Sequence, residues 1–331
     1  MAAKRKTVEA RMYDLKQATQ ELVGDELLTA IKHALNERES LIVEMAARAV
    51  VDLEPGDCRE ELLAAYRRFL IEPGESPDKD KNCRAKLPLV EALNRQRFDD
   101  PEFYLEGMKY VQMEPVYGAP SGYEDTAVHV RGACAYGLID VPLASQNEML
   151  FALVDLLNDK QYPAREHAAR ALGSTGLMAA APVLRMKVLT GDSRIEVIGA
   201  CLSGLMQYRD SHSLEFVSKF LSNKTPNLAV EAGLALAESR SEEAVRRLIA
   251  AADKLHSDIR QPLLMSVGLS RLPIAVDYLV NLIEKNGHDA ATAVQALSPS
   301  RFDMATKDRV REAVDSSGRR DLAKAFREHF A

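Results

Sequence analysis

Histidines, carboxylates and cysteines are the side chains of this chain that could catalyse a reaction or bind a metal. Two pairs lie four residues apart, which places each pair on one face of a helix: His33 with Glu37, and Asp125 with His129. A protein metal site normally needs three or four ligands, so neither pair is sufficient. The spacing therefore predicts exposed helix pairs at both places, and no metal site.

Catalytic sequence signatures are absent. The chain contains no GxSxG, no P-loop, no GxGxxG and no HExxH. The four cysteines are widely spaced without a CxxC, which argues against a zinc ribbon or a disulfide scaffold. We expect Cys134 and Cys201 to be inert core thiols, and Cys58 and Cys83 to be more exposed. These observations favour a non-enzymatic protein without a cofactor.

Composition favours helices and a folded chain. The 331 residues are 47% apolar and 28% charged, with 45 alanines and 6% aromatic residues. The formal net charge is −6, whereas nucleic-acid binders usually carry a basic field. No apolar run approaches 18 residues, and the basic N-terminal stretch has no apolar segment behind it. We expect a cytoplasmic protein without a membrane span or a nucleic-acid partner.

A short pattern recurs along the chain. Glu44-Met-Ala-Ala-Arg-Ala-Val50 resembles Glu166-His-Ala-Ala-Arg-Ala-Leu172, and Gly132-Ala-Cys-Ala-Tyr-Gly-Leu138 resembles Gly199-Ala-Cys-Leu-Ser-Gly-Leu205. The spacing is 43 and 44 residues in the first half and close to 32 in the second, which predicts a solenoid. One small or apolar residue aligns all the units: Ala46, Leu89, Ala133, Ala168, Ala200, Ala232, Leu264 and Ala293.

Each repeat contains two helical patterns. The first has apolar residues at helical spacing, and the second carries the small residues that let neighbouring helices approach closely. We therefore predict an all-α fold, a right-handed α-solenoid of about eight helix pairs with capping helices. Residues 1–23 would hold an N-terminal capping helix, 24–300 one continuous repeat array, and 301–331 the closing helices.

The segment Asp125-Thr-Ala-Val-His-Val-Arg131-Gly-Ala133 resembles the second helix of HEAT repeats, including the bacterial HEAT-like type named for phycobilisome lyases. It has the Asp, the Arg six residues later and the small residue two positions further on. Other units depart from this pattern, since Ile198, Glu166 and Glu44 stand in the Arg position. The resemblance implies the architecture, and it implies that Arg131 bonds Asp125 or the next repeat.

Two adjacent repeats carry inserts between their helices, at residues 72–82 and 112–124. Inserts at the same point of neighbouring repeats are expected on the same edge of a solenoid. The first insert is hydrophilic and is predicted to be a solvated loop. The second contains Tyr117 and Tyr123 with two prolines and two glycines, which suits a recognition element. Alternatively, Tyr117 and Val116 only seal the gap left by a wider repeat.

The second helices of such arrays usually line the concave surface. The side chains that we expect there mix both signs, which suits a polar protein surface, although any solenoid also exposes polar residues. The predicted concave residues are Arg48, Glu91, His129, Arg131, Arg165, Glu166, Arg170, Arg194, Glu196 and Glu231. The candidate binding residues are Glu114, Tyr117, Tyr123, Asp125, His129, Arg131, Arg165 and Arg170.

Three functions fit this architecture. The leading hypothesis is a scaffold or adaptor that binds another protein through its concave face and the loop of the third repeat. The second is an enzyme similar to the bilin lyases of the HEAT-like class, with a cleft near Tyr117, Tyr123 and Arg131. The third, a HEAT-like alkylpurine DNA glycosylase, is disfavoured because Trp is absent and residues 20–300 carry a net charge of −11.

Overall fold

The structure is a computed structural model, and it describes residues 6–71, 75–116, 122–142, 145–222, 225–255 and 259–330. Over these ranges the chain is helical apart from one β-hairpin, in agreement with the predicted all-α class. The chain divides into two compact units, Met1–Ala168 and Ala169–Ala331.

The first unit holds eight complete helices, the hairpin and the beginning of a ninth helix, which crosses the boundary between the units. Short 3₁₀ turns at Pro77–Lys79 and Lys81–Cys83 lie in the first predicted insert. The elements are α1 (Val8–Glu21), α2 (Gly24–Leu35), α3 (Ser40–Leu53), α4 (Arg59–Phe69), α5 (Lys86–Arg95), α6 (Pro101–Gly107), β1 (Met113–Val116), β2 (Gly122–Asp125), α7 (Val128–Ile139), α8 (Gln146–Leu157) and α9 (Tyr162–Ser174).

The second unit is helical throughout its described residues, and it includes the predicted closing helices as α18 and α19. Its helices are α10 (Ala181–Thr190), α11 (Ile195–Gln207), α12 (Ser211–Ser218), α13 (Pro226–Glu238), α14 (Glu242–Lys254), α15 (Arg260–Leu269), α16 (Pro273–Glu284), α17 (Ala290–Ala296), α18 (Met304–Ser317) and α19 (Arg320–Phe330).

Alternate helices stack on each other within each unit. In the second unit, α11, α13, α15, α17 and α19 follow one another in one layer, and α12, α14, α16 and α18 do so in the other. In the first unit, α3, α5 and α7 form such a layer, α2 packs against α4, and α1 packs against α2 and α3. Two layers in which every helix contacts the second helix along the chain define a helical repeat protein.

The aligned small and apolar residues lie where neighbouring helices stack. All eight, from Ala46 to Ala293, are buried. These positions therefore lie in the core, as the close packing of the second helices requires. Small side chains let helix axes approach closely. Three glycines do the same where neighbouring backbones are in contact: Gly173, Gly204 and Gly268.

Helix beginnings follow the predicted turn chemistry in part. Pro226 occupies the first turn of α13, as expected from its fixed φ and missing N–H. The N-cap residue of α11 is Arg194, which makes no side-chain capping bond. Asp192 accepts the Arg194 backbone N–H at 3.0 Å and pairs with Lys187 at 2.8 Å.

Among the described residues, no helix combines the length and the apolar character that a membrane crossing requires.

Gly268 provides a test of the stacking of α15 on α17. A Cβ at this position would collide with the backbone carbonyl oxygen of Ala296, which cannot move without shifting α17. We expect Gly268→Ala to lower the free energy of unfolding by about 1–3 kcal/mol, although alanine is ordinarily the better helix former. Urea unfolding measures this change.

Gly287→Ala is the matched control, because nothing lies within 4 Å of a Cβ built there. Its unfolding midpoint should remain close to that of the wild type. If Gly268→Ala were as stable as this control, the close approach of the two helices would be disproved.

Candidate functional site

The second predicted insert forms a β-hairpin rather than an irregular loop. Its strands β1 and β2 pair antiparallel, with Met113 opposite Asp125 and Val116 opposite Gly122. Tyr117, one of the predicted site residues, lies outside the described residues. The hairpin stands between α6 and α7, where it leads directly into the helix with the HEAT-like pattern.

The outer face of the hairpin carries Met113, Pro115 and Tyr123, because Pro115 pairs with Tyr123 and alternates with Glu114. Exposed fractions are 54% for Val111, 50% for Met113, 42% for Val116 and 72% for Tyr123. A two-stranded sheet on a protein surface usually turns its apolar side chains inward and its polar ones to water. This hairpin does the opposite on its outer face, where Met113 and Tyr123 are exposed, while Val116 lies on the face of Glu114, two residues further along β1.

The side of the hairpin that faces the protein is polar, and its polar atoms are paired. Gln112 and Glu114 are both buried. The Glu114 Oε1 atom accepts hydrogen bonds from the Asn82 backbone N–H at 2.6 Å, the Thr126 hydroxyl at 2.6 Å and the Gln112 amide at 2.7 Å. Gln112 also donates to the backbone oxygen of Asp80 at 2.8 Å. These bonds replace the hydration that burial removes.

The same bonds join the two inserts. Asp80 and Asn82 belong to the first insert, and Gln112 and Glu114 to the second. The prediction that both inserts lie on one edge is therefore confirmed.

A buried ion pair joins the first insert to the beginning of α5. The side chains of Asp80 and Lys86 are both 0% exposed, and the Lys86 Nζ atom lies 2.9 Å from the Asp80 Oδ2 atom. Lys86 also donates to the Phe69 carbonyl at 2.9 Å and lies 5.6 Å from the centre of the Tyr110 ring. The prediction of a solvated loop is therefore wrong at Asp80, because its carboxylate finds an internal cation and the backbone N–H of Ala85 at 2.8 Å.

Arg131 holds the base of the hairpin to α7. Its Nη1 atom lies 2.8 Å from the Asp125 Oδ2 atom and donates to the Tyr110 carbonyl at 2.9 Å. Its Nε atom lies 3.0 Å from the Asp159 Oδ2 atom, in the turn between α8 and α9. The structural role that the HEAT resemblance implies for Arg131 is therefore confirmed, since it bonds both Asp125 and the following repeat.

Exposed polar residues of the stacked helices lie close to one another. His129 Nδ1 on α7 lies 3.3 Å from His167 Nε2 on α9, so one ring donates and the other accepts. Desolvation raises the pKa of Glu91 on α5, while the positive charges of Arg48 on α3 and of His129 lower it. These contacts join side chains of α3, α5, α7 and α9 that include both signs of charge.

The structure places the predicted site residues in two groups. Tyr123, His129 and Arg170 are exposed, whereas Glu114, Asp125, Arg131 and Arg165 are buried. The expectation that Arg131 and Arg165 project from the concave face is wrong. Arg165 instead donates to the backbone oxygens of Asp159 and Lys160 at 2.9 and 3.1 Å, so its guanidinium closes the turn before α9.

Sequence reasoning missed four residues of this site: Asp80, Lys86, Gln112 and Asp159. The sequence offered one indication for Lys86, which directly precedes the apolar run from Leu87 to Val90 within α5. The other three lie in polar turns, where their residue types carry no sign of burial.

All four cysteines are free and buried. The expectation that Cys58 and Cys83 are more exposed is wrong, because α4 and the first insert cover them. Burial raises the pKa of each of these two thiols to about 11, and that of Cys201 to about 12. Burial raises the pKa of Cys134 as well. Across the described ranges, no group of three or more His, Cys, Asp or Glu is arranged to hold a metal ion.

No protein-family model and no curated protein matches the chain. Among solved structures, human deoxyhypusine hydroxylase in complex with glycerol is similar at 17% identity. The match covers 81% of this chain and 92% of that one, with a TM-score of 0.30. An engineered protein is similar at 15% identity over 99% of this chain and 97% of that one, with a TM-score of 0.38.

The ion pair of Asp80 and Lys86 provides a test of the support beneath the hairpin. Lys86→Met leaves the Asp80 carboxylate buried without a counter-charge, which should lower the free energy of unfolding by about 3–5 kcal/mol. The double variant Asp80→Asn with Lys86→Met should lose less, because no charge remains inside. Chemical unfolding followed by circular dichroism measures both.

Lys219→Met is the control, since its pair with Glu215 is exposed and contributes little. An equal loss of stability in Lys86→Met and Lys219→Met would show that Lys86 is not buried as described.

Thiol reactivity tests the burial of the cysteines. With pKa values raised to about 11, the thiols of Cys58 and Cys83 stay protonated at pH 8, and the thiolate is the reactive form. We expect the native protein to resist an aromatic disulfide reagent at pH 8 and to react at four sites after unfolding. Rapid modification of one thiol in the native state would contradict this.

Proposed function

We propose that this chain is a non-enzymatic scaffold or adaptor that binds another protein through the hairpin of its third repeat and the concave face of its HEAT-like array. The observation that carries the proposal is the hairpin, in which the polar side chains of Gln112 and Glu114 are buried whereas the large apolar side chains of Met113 and Tyr123 are exposed. An exposed apolar patch of this kind marks a protein-binding site more often than a bare solvent face.

The exposed residues have the chemistry of an interface anchor. Tyr123 and Met113 belong to the residue types enriched at interface centres, and Val111, two residues before Met113, is exposed as well. Burying such side chains gains roughly 25 cal/mol for each Å² removed from water. The bonds of Glu114 below the hairpin hold the patch in place, which reduces the entropy that a partner must remove on binding.

The concave face supplies the polar part of the proposed interface. Arg48, Glu91 and His129 present both signs of charge, which favours a partner with local charge complementarity over a uniformly charged polymer. The proposal retains the predicted organisation of about eight helix pairs in a right-handed superhelix, with a cap over 1–23, one array over 24–300 and closing helices over 301–331.

The hairpin patch is tested with the triple variant Val111→Ser, Met113→Ser and Tyr123→Ser. The full chain is coupled to a resin, and crosslinked partners from native lysate are quantified by mass spectrometry. We expect a partner recovered by the wild type to fall about tenfold or more with the triple variant, since each truncated anchor weakens binding. Thermal unfolding of the variant shows that it folds.

The matched control carries Met178→Ser, Met186→Ser and Leu189→Ser, which remove three exposed apolar residues from the other unit. It should retain the partner. Retention by the hairpin variant together with loss by the control would refute the hairpin site. Measured turnover of a substrate, with no partner recovered, would refute the scaffold.

A further inference from the structure

Three arginines recur at the same turn of successive repeats in the second unit. Arg209, Arg240 and Arg271 each stand two residues after the end of α11, α13 and α15, at intervals of 31 residues. All three have a left-handed backbone, with φ of 51°, 49° and 54°. We call these residues the arginine row.

Arginine is an unusual choice for this backbone conformation. A Cβ disfavours positive φ, so glycine is the ordinary residue at a helix C-terminus of this kind. The chain itself follows that rule one repeat earlier, where Gly176 stands two residues after α9 with φ of 68°. Retaining arginine at the next three turns opposes the local backbone preference, which indicates that the side chains serve another purpose.

The side chains of the arginine row are available to a partner. All three are exposed, and none forms an ion pair within the part of the chain that the structure describes. The acidic residues beside them are already engaged. Glu243 pairs with Arg247 at 3.1 Å, and the Asp210 carboxylate caps α12 by accepting two backbone N–H groups at 2.9 Å.

The spacing of the row follows from the stacking of its helices. Since α11 packs on α13 and α13 on α15, consecutive arginines are separated by one interhelical distance, about 10 Å. Arg209 and Arg240 line one shared cavity of about 400 Å³, together with the serines at 211, 239 and 241. In a peptide with polyproline II conformation, which has three residues per turn and a rise of about 3.1 Å, carboxylates three residues apart lie on one face and about 9 Å from each other.

We infer that the arginine row docks an extended acidic segment of a partner protein, with carboxylates about three residues apart. Arginine suits this task because its guanidinium binds a carboxylate through two parallel N–H groups. A nucleic-acid strand fits less well, because the chain carries a net charge of −6 and the row offers three arginines rather than an extended basic field. This site belongs to the second unit and does not depend on the hairpin proposal.

Fluorescence anisotropy with the full chain tests the inference. The first probe is a labelled peptide with aspartate at every third position, and the second has the same composition with its aspartates adjacent. The variant is Arg209→Gly, Arg240→Gly and Arg271→Gly, which removes the guanidinium groups and relieves the positive φ, so its thermal midpoint should not fall. We expect the spaced peptide to bind the wild type in a salt-dependent manner, and the variant about tenfold more weakly.

Arg97→Gly is the matched control for the single variant Arg240→Gly, since Arg97 has φ of 51° at the corresponding turn after α5 in the first unit. Unchanged binding by Arg97→Gly and weaker binding by Arg240→Gly support the site. Absence of saturable binding by the wild type, equal losses in the two single variants, or tighter binding of the adjacent-aspartate peptide or of a single-stranded oligonucleotide would each overturn the inference.

Discussion

The buried guanidinium of Arg131 is the interaction on which the candidate site depends. It lies between the carboxylates of Asp125 and Asp159 and also donates to the Tyr110 carbonyl. The hairpin base, the beginning of α7 and the turn before α9 therefore converge on one side chain. Removing a charged group from water costs several kcal/mol, so this arrangement is stable only because charge-assisted hydrogen bonds compensate for the desolvation. The geometry of three segments is thereby coupled.

The hairpin illustrates the consequence of internal charge pairing. Since Glu114 and Gln112 find their partners beneath the strands, the alternation of the strands turns Met113 and Tyr123 to solvent. The pair of Asp80 and Lys86 extends the same polar interior into the first insert. The buried side chains of the hairpin are polar and hydrogen-bonded, whereas Met113 and Tyr123 are exposed. Such an arrangement suits a binding surface better than an isolated surface element.

The two proposed surfaces arise from the repeat architecture in different ways. The hairpin surface is an insertion, so its chemistry belongs to one repeat and to bonds that only this repeat makes. The arginine row is a product of repetition, because equivalent turns of stacked helices place equivalent side chains at a constant spacing. The hairpin surface contributes shape and apolar area, whereas the arginine row contributes positive charges at a regular spacing. Both use positions that do not contribute to the buried core between the helix layers.

The sequence by itself determined the helical repeat and the position of both inserts. These features depend on local periodicity, and one period of small residues places Ala46 through Ala293 inside every helix pair. Only the tertiary structure decided that Glu114 and Arg131 turn inward and that the hairpin exposes its apolar side. Their partners Asn82 and Asp159 lie 32 and 28 residues away along the chain, and a charged residue carries no local sign of a partner at that distance.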